Sequence, residues 1–344
     1  MKKLFMIAMA AAAVCSCAKG NVVENVESQQ ESTVYITIKN DDSTPLTRAS
    51  GNGHGTQVQD NTINTVELFI FRVNPGQADD GILDGYRKFN SSELETLSNL
   101  EVKSTIGKKM IYAVVNSHRE SWPTGLTRTV FEQQTAQLFK ENIKDFLMVG
   151  GKEATLQIST NVSFQISRMV ARVRLNSVVA SFENTPYAGG ALKNVKAYLI
   201  NAHSEKYLFD GSGNGLKILN SKQYVANDNI GSAMPEILYE ELSASIDKSG
   251  YSIPHYFYCY SNPLETETEN DRFTRLVIEG ELNGTKYYYP ISLKGIARNS
   301  CYSIDVKIQR PGSQNPDQDV AMGTMYISLE VLGWNAIPGS TVEF

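Results

Sequence analysis

The residues with the clearest capacity for covalent chemistry lie near the front of the chain. Val14-Cys15-Ser16-Cys17 resembles a bacterial lipobox, in which the Cys17 thiol takes a lipid and becomes the first residue after processing. It follows Lys2, Lys3 and an apolar run from Leu4 to Val14. That run is shorter than the ~17 residues a helix needs to span a bilayer, so residues 1–17 read as a lipoprotein signal peptide. An ordinary secretory leader cut near Ser16 fits the same residues. Farther on, Arg48 precedes Ala49-Ser50-Gly51-Asn52-Gly53-His54-Gly55, a tract without side chains to pack. A lone Arg there suits a trypsin-like protease cutting between Arg48 and Ala49, because nicking concentrates in segments of small and polar residues.

Catalytic chemistry finds no such footing. His54, His118, His203 and His255 are scattered, without the His-x-x-x-His spacing of a zinc site. No Gly-x-Ser-x-Gly elbow is present. The runs at residues 51–55 and 211–215 lack a following Lys-Ser/Thr and read as loops, not phosphate cradles. Asp210 lacks the other carboxylates of a calcium loop. Asn90, Asn161 and Asn283 head Asn-x-Ser/Thr triplets that carry little weight in a bacterial exported protein. Tyr287, Tyr288 and Tyr289 have the ring faces to stack on a sugar, although a strand's core and cover is the commoner use. The expectation is a protein that is not an enzyme and takes no cofactor or metal.

With 344 residues, the chain is long enough for two sizeable cores. Its 17 Tyr and 13 Phe lean toward β structure. The net charge of −5 survives loss of residues 1–48, because that segment's cations and acids balance. An acidic remainder argues against nucleic acid or an anionic membrane surface as partner. Cys259 and Cys301 remain after the leader; either a disulfide of an exported protein or two separately buried thiols in neighbouring strands fits them.

The elements that must position these features are mostly strands. Val34-Tyr35-Ile36-Thr37-Ile38-Lys39 alternates with period two, with Val34, Ile36 and Ile38 on one face. The breaker cluster 40–45 and then Leu46-Thr47-Arg48 follow. A strand just upstream of a cuttable loop suggests one that fills a groove temporarily; an ordinary first strand followed by a Gly-rich loop fits the same pattern. Strands are predicted over 65–73 and 110–116, with a brief helix over 91–100. A longer helix is predicted from Phe131 to Leu147, where Thr129 and Glu132 resemble a capping box. A domain boundary is expected near Ser159. Beyond it strands are expected over 162–166, 168–175, 195–200, 255–260, 275–281, 286–293 and 302–309, and Asn283-Gly284 signals a hairpin. Arg168, Arg172 and Arg174 read as a solvated or ion-paired strand face, not a ligand site.

The end of the chain mirrors its front. In residues 324–332, Ile327, Leu329 and Val331 share one face; Gly333-Trp334-Asn335 breaks the strand, and 336–344 forms a last short extended segment. A β-sandwich that loses its first strand and carries a spare at its end can polymerise, the tail of one copy filling the groove of the next by β-strand addition. Such a contact is heterologous and non-closing, so it builds fibres.

Four features together resemble the fimbrillins, the type V pilins. They are the lipobox-like Cys17, the pre-strand ending in Leu46-Thr47-Arg48, the run Ile166-Ser167-Arg168-Met169-Val170-Ala171-Arg172-Val173, and the strand and loop from Tyr302 to Gly312 with the later Trp334. The resemblance implies a mainly β protein of two transthyretin-like β-sandwich domains, with one or two short helices in the first. It implies lipid on Cys17, a propeptide over 18–48 removed by an Arg-specific maturation protease, and domains over 49–158 and 159–344. It also implies a donor region over 324–344 that carries Ile327, Leu329, Val331 and Trp334. Partners would be copies of itself or other fimbrial subunits, the outer membrane through the lipid, and a host or bacterial surface receptor. Localisation would be the outer membrane and then a cell-surface fimbria. Stalk, tip and anchor subunits all occur in the family, so a tip adhesin or a surface lipoprotein binding glycan or protein is the alternative reading.

Overall fold

The computed structural model describes residues 30–40, 62–94, 96–209, 218–219, 236–321 and 323–334. Cys17 and the signal peptide, Arg48 and Ala49, the runs at 51–55 and 211–215, Asp210, and residues 336–344 lie outside them. The chain forms β1 (Glu31–Asn40), β2 (Thr65–Arg72), β3 (Leu83–Asn90), β4 (Leu100–Thr105) and β5 (Gly107–Val115). After helix α1 (Arg128–Glu132) come β6 (Thr135–Gln137), a 3-10 turn (Leu138–Lys140), β7 (Met148–Leu156) and β8 (Ser159–Arg168). Next are β9 (Val170–Ala180), β10 (Leu192–Ile200), β11 (Ala202–His203), β12 (Glu205–Tyr207) and β13 (Ile218–Leu219). A second 3-10 turn (Glu236–Leu238) leads into β14 (Tyr239–Ile246), β15 (His255–Tyr260), β16 (Thr274–Leu282), β17 (Thr285–Leu293), β18 (Ser300–Ile308) and β19 (Met325–Gly333).

The fold is mainly β. Seven strands pair in the order β3-β2-β5-β7-β8-β1-β4. The β7–β8 link is two residue pairs, Met148 with Arg168 and Val149 with Ser167, and there the sheet folds over on itself. Its two leaves close on one core, where Val66, Leu68 and Ile70 of β2 meet Val34, Ile36 and Ile38 of β1 with Phe164 of β8. The opposite faces of β2 and β5 are covered as well, because Phe69, Phe71 and Tyr112 pack around Phe131 of α1. Residues 65–73 are therefore buried on both sides, not on one as their alternation suggests. That second layer continues into a core shared by two four-stranded sheets, β14-β10-β16-β17 and β15-β9-β18-β19. The hairpin signal is realised: Asn283 and Gly284 join β16 to β17, both with positive φ (51° and 80°), the backbone a type I′ turn requires.

Sheet pairing continues across Ser159, where the sequence suggests a domain boundary. Strand β8 begins there but pairs with β1 and β7, so it belongs with the first leaf; the change of sheet falls at Met169. The helix expected over 131–147 stops at Glu132. Its N-cap is Thr127, whose hydroxyl accepts from the Val130 N–H at 3.4 Å, not Thr129. Residues 135–137 pair with Glu205–Tyr207 as a strand, and Asn142 Oδ1 accepts from Lys144 N in a turn. Phe131, Leu138, Phe146 and Leu147 are all buried, but from a short helix, a 3-10 turn and irregular chain, not one helix face, and Phe139 stays 67% exposed. Among the described residues of 91–100 there is no helix: 91–93 form a turn, 97–98 a bend, and Leu100 opens β4.

Cys259 and Cys301 are separate buried thiols. They sit on β15 and β18, on either side of β9, opposite Ala171 and Arg172. Two strand spacings of ~4.8 Å put them beyond the roughly 4.4–6.8 Å Cα separation of a disulfide. Burial pushes the Cys259 thiol up to about 12.

One buried carboxylate joins the two halves. Glu141, just after the first 3-10 turn, accepts from Leu147 N (3.1 Å) and from the Tyr260 hydroxyl of β15 (2.9 Å). It borders a cavity of about 240 Å³ together with Ser117, His118, Lys140 and Tyr260. Burial raises its pKa from 4.5 to about 7, against the opposing effect of the two hydrogen bonds and His118. Burial opposes the charge on His118, yet Asp145, 3.3 Å away, carries its pKa above the ordinary 6.5. Both groups hold protons more tightly when folded, so each stabilises the fold most below its ordinary pKa and loses that contribution as pH rises through its folded value. Unfolding free energies from urea titrations at pH 5 to pH 8 should therefore fall, by about 2–3 kcal/mol for the carboxylate alone. Glu141→Gln should flatten that fall, and an unchanged pH dependence would overturn the assignment.

Candidate strand-acceptor site

Strand β1 fills a slot between two neighbours of opposite sense. It runs parallel to β8, from Thr33 opposite Ser159 to Asn40 opposite Ile166. It runs antiparallel to β4, from Glu31 opposite Thr105 to Ile36 opposite Leu100. The alternation seen in the sequence is expressed directly: Val34 and Ile36 are fully buried and Ile38 is 4% exposed. Thr33, Tyr35 and Thr37 on the other face are half-buried. Ser32 is buried too, and its hydroxyl donates to the Gln157 carbonyl. Backbone bonds close both ends, from Ile106 N to Gln30 O and from Ile38 N to Leu97 O (both 2.9 Å). Three apolar plugs at i, i+2 and i+4, one small polar residue before them, and two ladders that overlap over residues 33–36 define how the slot is filled.

The residues expected to donate lie in the last sheet, not near the slot. Strand β19 pairs with β18 over nine positions, from Met325 opposite Ile308 to Gly333 opposite Ser300. It is an edge strand, and its apolar face is thinly covered: Ile327 and Leu329 are partly buried against the core while Val331 is 58% exposed. Trp334 is different. It is fully buried, with the Arg168 and Arg172 guanidinium carbons 4.5 and 4.8 Å from its ring centroid. Phe146 and Tyr258 pack against it at 6.2 and 5.9 Å. Arg172 Nη2 donates to the Trp334 carbonyl, and Arg168 Nη1 to Asn299 Oδ1 at 3.0 Å.

Of the solvated or ion-paired face expected for these arginines, burial overturns the solvated form. Arg168 and Arg172 are 0 and 1% exposed, and Arg174 alone is partly open. A guanidinium tolerates burial when aromatic faces and hydrogen bonds replace water, and Trp334, more than 160 residues along the chain, supplies both a face and a carbonyl. The tyrosine run is no sugar platform: Tyr289 is fully buried, and Tyr287 and Tyr288 pack partly against the core. Sequence reasoning missed Asp84, which binds β3 to β4; its signal was an Asp-Gly step inside a strand, a sign of a bulge. Among the described residues, no group of three or more His, Cys, Asp or Glu is placed to hold a metal ion.

No family model and no curated protein matches the sequence. Solved structures do. A candidate cell adhesion protein from Bacteroides eggerthii is 19% identical, with a TM-score of 0.62 over 89% of this chain and 96% of its own. A fimbrilin from Porphyromonas gingivalis W83 is 15% identical, with a TM-score of 0.62 over 90% of this chain and 99% of its own. The C-terminally truncated tip fimbrial protein Mfa3 of Porphyromonas gingivalis is 12% identical, with a TM-score of 0.50 over 88% of this chain and 100% of its own. The chain has the fold of these fimbrial and adhesion structures along nearly its whole length, as the resemblance in its sequence implies.

Removing the Trp334 ring should release the end of β19. Trp334→Ala should cost about 3–5 kcal/mol in denaturant titration and raise amide hydrogen exchange along 325–333. Val331→Ala, on the open side of the same strand, should stay within about 0.5 kcal/mol. Equal effects of the two substitutions would show that the ring is not an anchor.

Proposed function

We propose that this protein is a structural subunit of a cell-surface fimbria, exported as a lipoprotein precursor and polymerised by strand donation. In this reading Cys17 carries the lipid that holds the precursor on the outer membrane, and an Arg-specific protease cuts between Arg48 and Ala49. Residues 18–48, including β1, then leave two transthyretin-like sandwiches, and the 324–344 region of a neighbouring copy or another fimbrial subunit takes the vacated slot. A receptor on a host or bacterial surface would be met by the assembled fibre.

The observation that carries this reading is the placement of β1. It is the first strand among the described residues and lies inside a sheet, walled by two later strands. Its connection onward runs through the segment that contains Arg48. Filling the slot buries Val34, Ile36 and Ile38, a gross gain of roughly 5–9 kcal/mol before the ordering of the incoming strand is subtracted. While covalently attached, β1 competes at high effective concentration and keeps the slot closed to other copies. The shared fold with fimbrial structures supports the same conclusion.

A second reading has its own support. Strand β19 is laddered to β18 along its whole length and ends in the buried Trp334. A subunit that keeps β19, the last strand among the described residues, at home accepts a strand without donating that one, as a tip adhesin or glycan- or protein-binding surface lipoprotein would.

Native trypsin digestion of the purified chain separates the two. A stalk subunit should give a new N-terminus at Ala49 and detergent-resistant ladders, and deletion of 324–344 should abolish the ladders while the first leaf stays folded. Clean monomer after the cut supports the second reading. A chain that resists cutting at Arg48 under native conditions defeats both.

A further inference from the structure

Strand β4 poses a problem that rests on the reading just given. Its one ladder partner among the described residues is β1. If β1 leaves, β4 must stay in place without it, or the slot has no far wall.

Asp84 solves this problem. It is the extra residue of a bulge in β3: across β2, Ile70 faces Gly85 and Phe71 faces Leu83, so Asp84 has no partner. A bulge re-aims the side chain it carries, and here the carboxylate, 3% exposed, turns toward the corner where β4 passes into β5. Its Oδ2 accepts from Ser104 Oγ (2.7 Å), Thr105 N (2.9 Å) and Thr105 Oγ1 (2.7 Å). Lys109 Nζ of β5, equally buried, lies 2.9 Å from the same oxygen and also donates to Thr105 Oγ1. Oδ1 accepts from Arg72 Nε of β2 at 2.7 Å. One residue on, Gly85 lets the two strands touch, since a Cβ there would lie 2.5 Å from the Lys103 carbonyl. Farther along, Arg87 Nη1 donates to the Glu101 carbonyl at 2.9 Å. None of these contacts involves β1.

We infer that Asp84 is the positioning residue that holds β4 one strand's width from β8 while the slot is empty. It thereby keeps the slot ready for an incoming strand. Burial alone would favour a neutral Asp84 carboxyl, but Lys109, Ser104 and Thr105 hold its pKa far below the ordinary 3.8, so the knot stays charged at any pH the surface of a cell meets.

The test uses the full chain cut by native trypsin, with a fluorescent synthetic peptide of residues 30–40 in excess. Wild type should exchange its own strand for the peptide, and β4 amides such as Val102 should keep most of their protection from hydrogen exchange. Asp84→Asn should weaken peptide binding at least tenfold and expose the β4 amides, in the cut chain only. Should Asp84→Asn fail to fold, Gly85→Ala pushes β4 aside with the carboxylate intact, and the same weakening is expected. A variant that loses stability when uncut but binds the peptide as wild type does would reduce Asp84 to a general stabiliser and overturn the inference. Wild type that exchanges the peptide while β4 loses its protection would overturn it too. A wild-type cut chain that never exchanges would instead overturn the reading beneath it.

Discussion

A strand inside a sheet has two backbone edges to satisfy, and β1 depends on strands that appear far later in the chain for both. Without it, the N–H and C=O rows of β8 and β4 would face each other across a gap one strand wide, above a core stripped of Val34, Ile36 and Ile38. Unpaired buried backbone groups are costly, and open sheet edges recruit other strands. The first half of the molecule is therefore finished only when something occupies that position. The sequence of the strand matters less than its pattern, because the ladders are made by main chain and only alternate side chains face inward.

What could be read from residues alone follows from how local each signal is. The period-two face of Val34, Ile36 and Ile38 was legible because one side of β1 meets the core and the other meets solvent. The Asn283-Gly284 turn was legible because its backbone demands those residues. The stretch from Phe131 to Leu147 misled for the opposite reason. Most of its apolar residues are buried, but from a short helix, a 3-10 turn and irregular chain in succession, so their helical spacing is coincidental. Arg168 and Arg172 were illegible because what makes their burial tolerable arrives from Trp334 at the other end of the chain. Asp84 was missed because its importance lies in a two-against-one mismatch with β2 that no single strand displays.

The two ends of the molecule share more than symmetry of pattern. Arg168 closes β8, the strand that walls one side of the slot, and its guanidinium lies over the ring that terminates β19. A desolvated cation over an aromatic face contributes about 2 kcal/mol or more. Taking the ring away would also strip both buried guanidiniums of the aromatic face that replaces water there. The last strand and the slot's wall are thus held by common side chains, although they belong to different sheets.

The double ladder around β1 has a mechanical meaning. A strand peeled from an edge loses its hydrogen bonds one at a time, so little force removes it. A strand seated between β8 and β4 and tugged along its own axis must stretch every bond on both flanks together, while its three plugs catch against the walls. Any segment occupying that seat is consequently strongest against tension along its length and weakest against sideways prying.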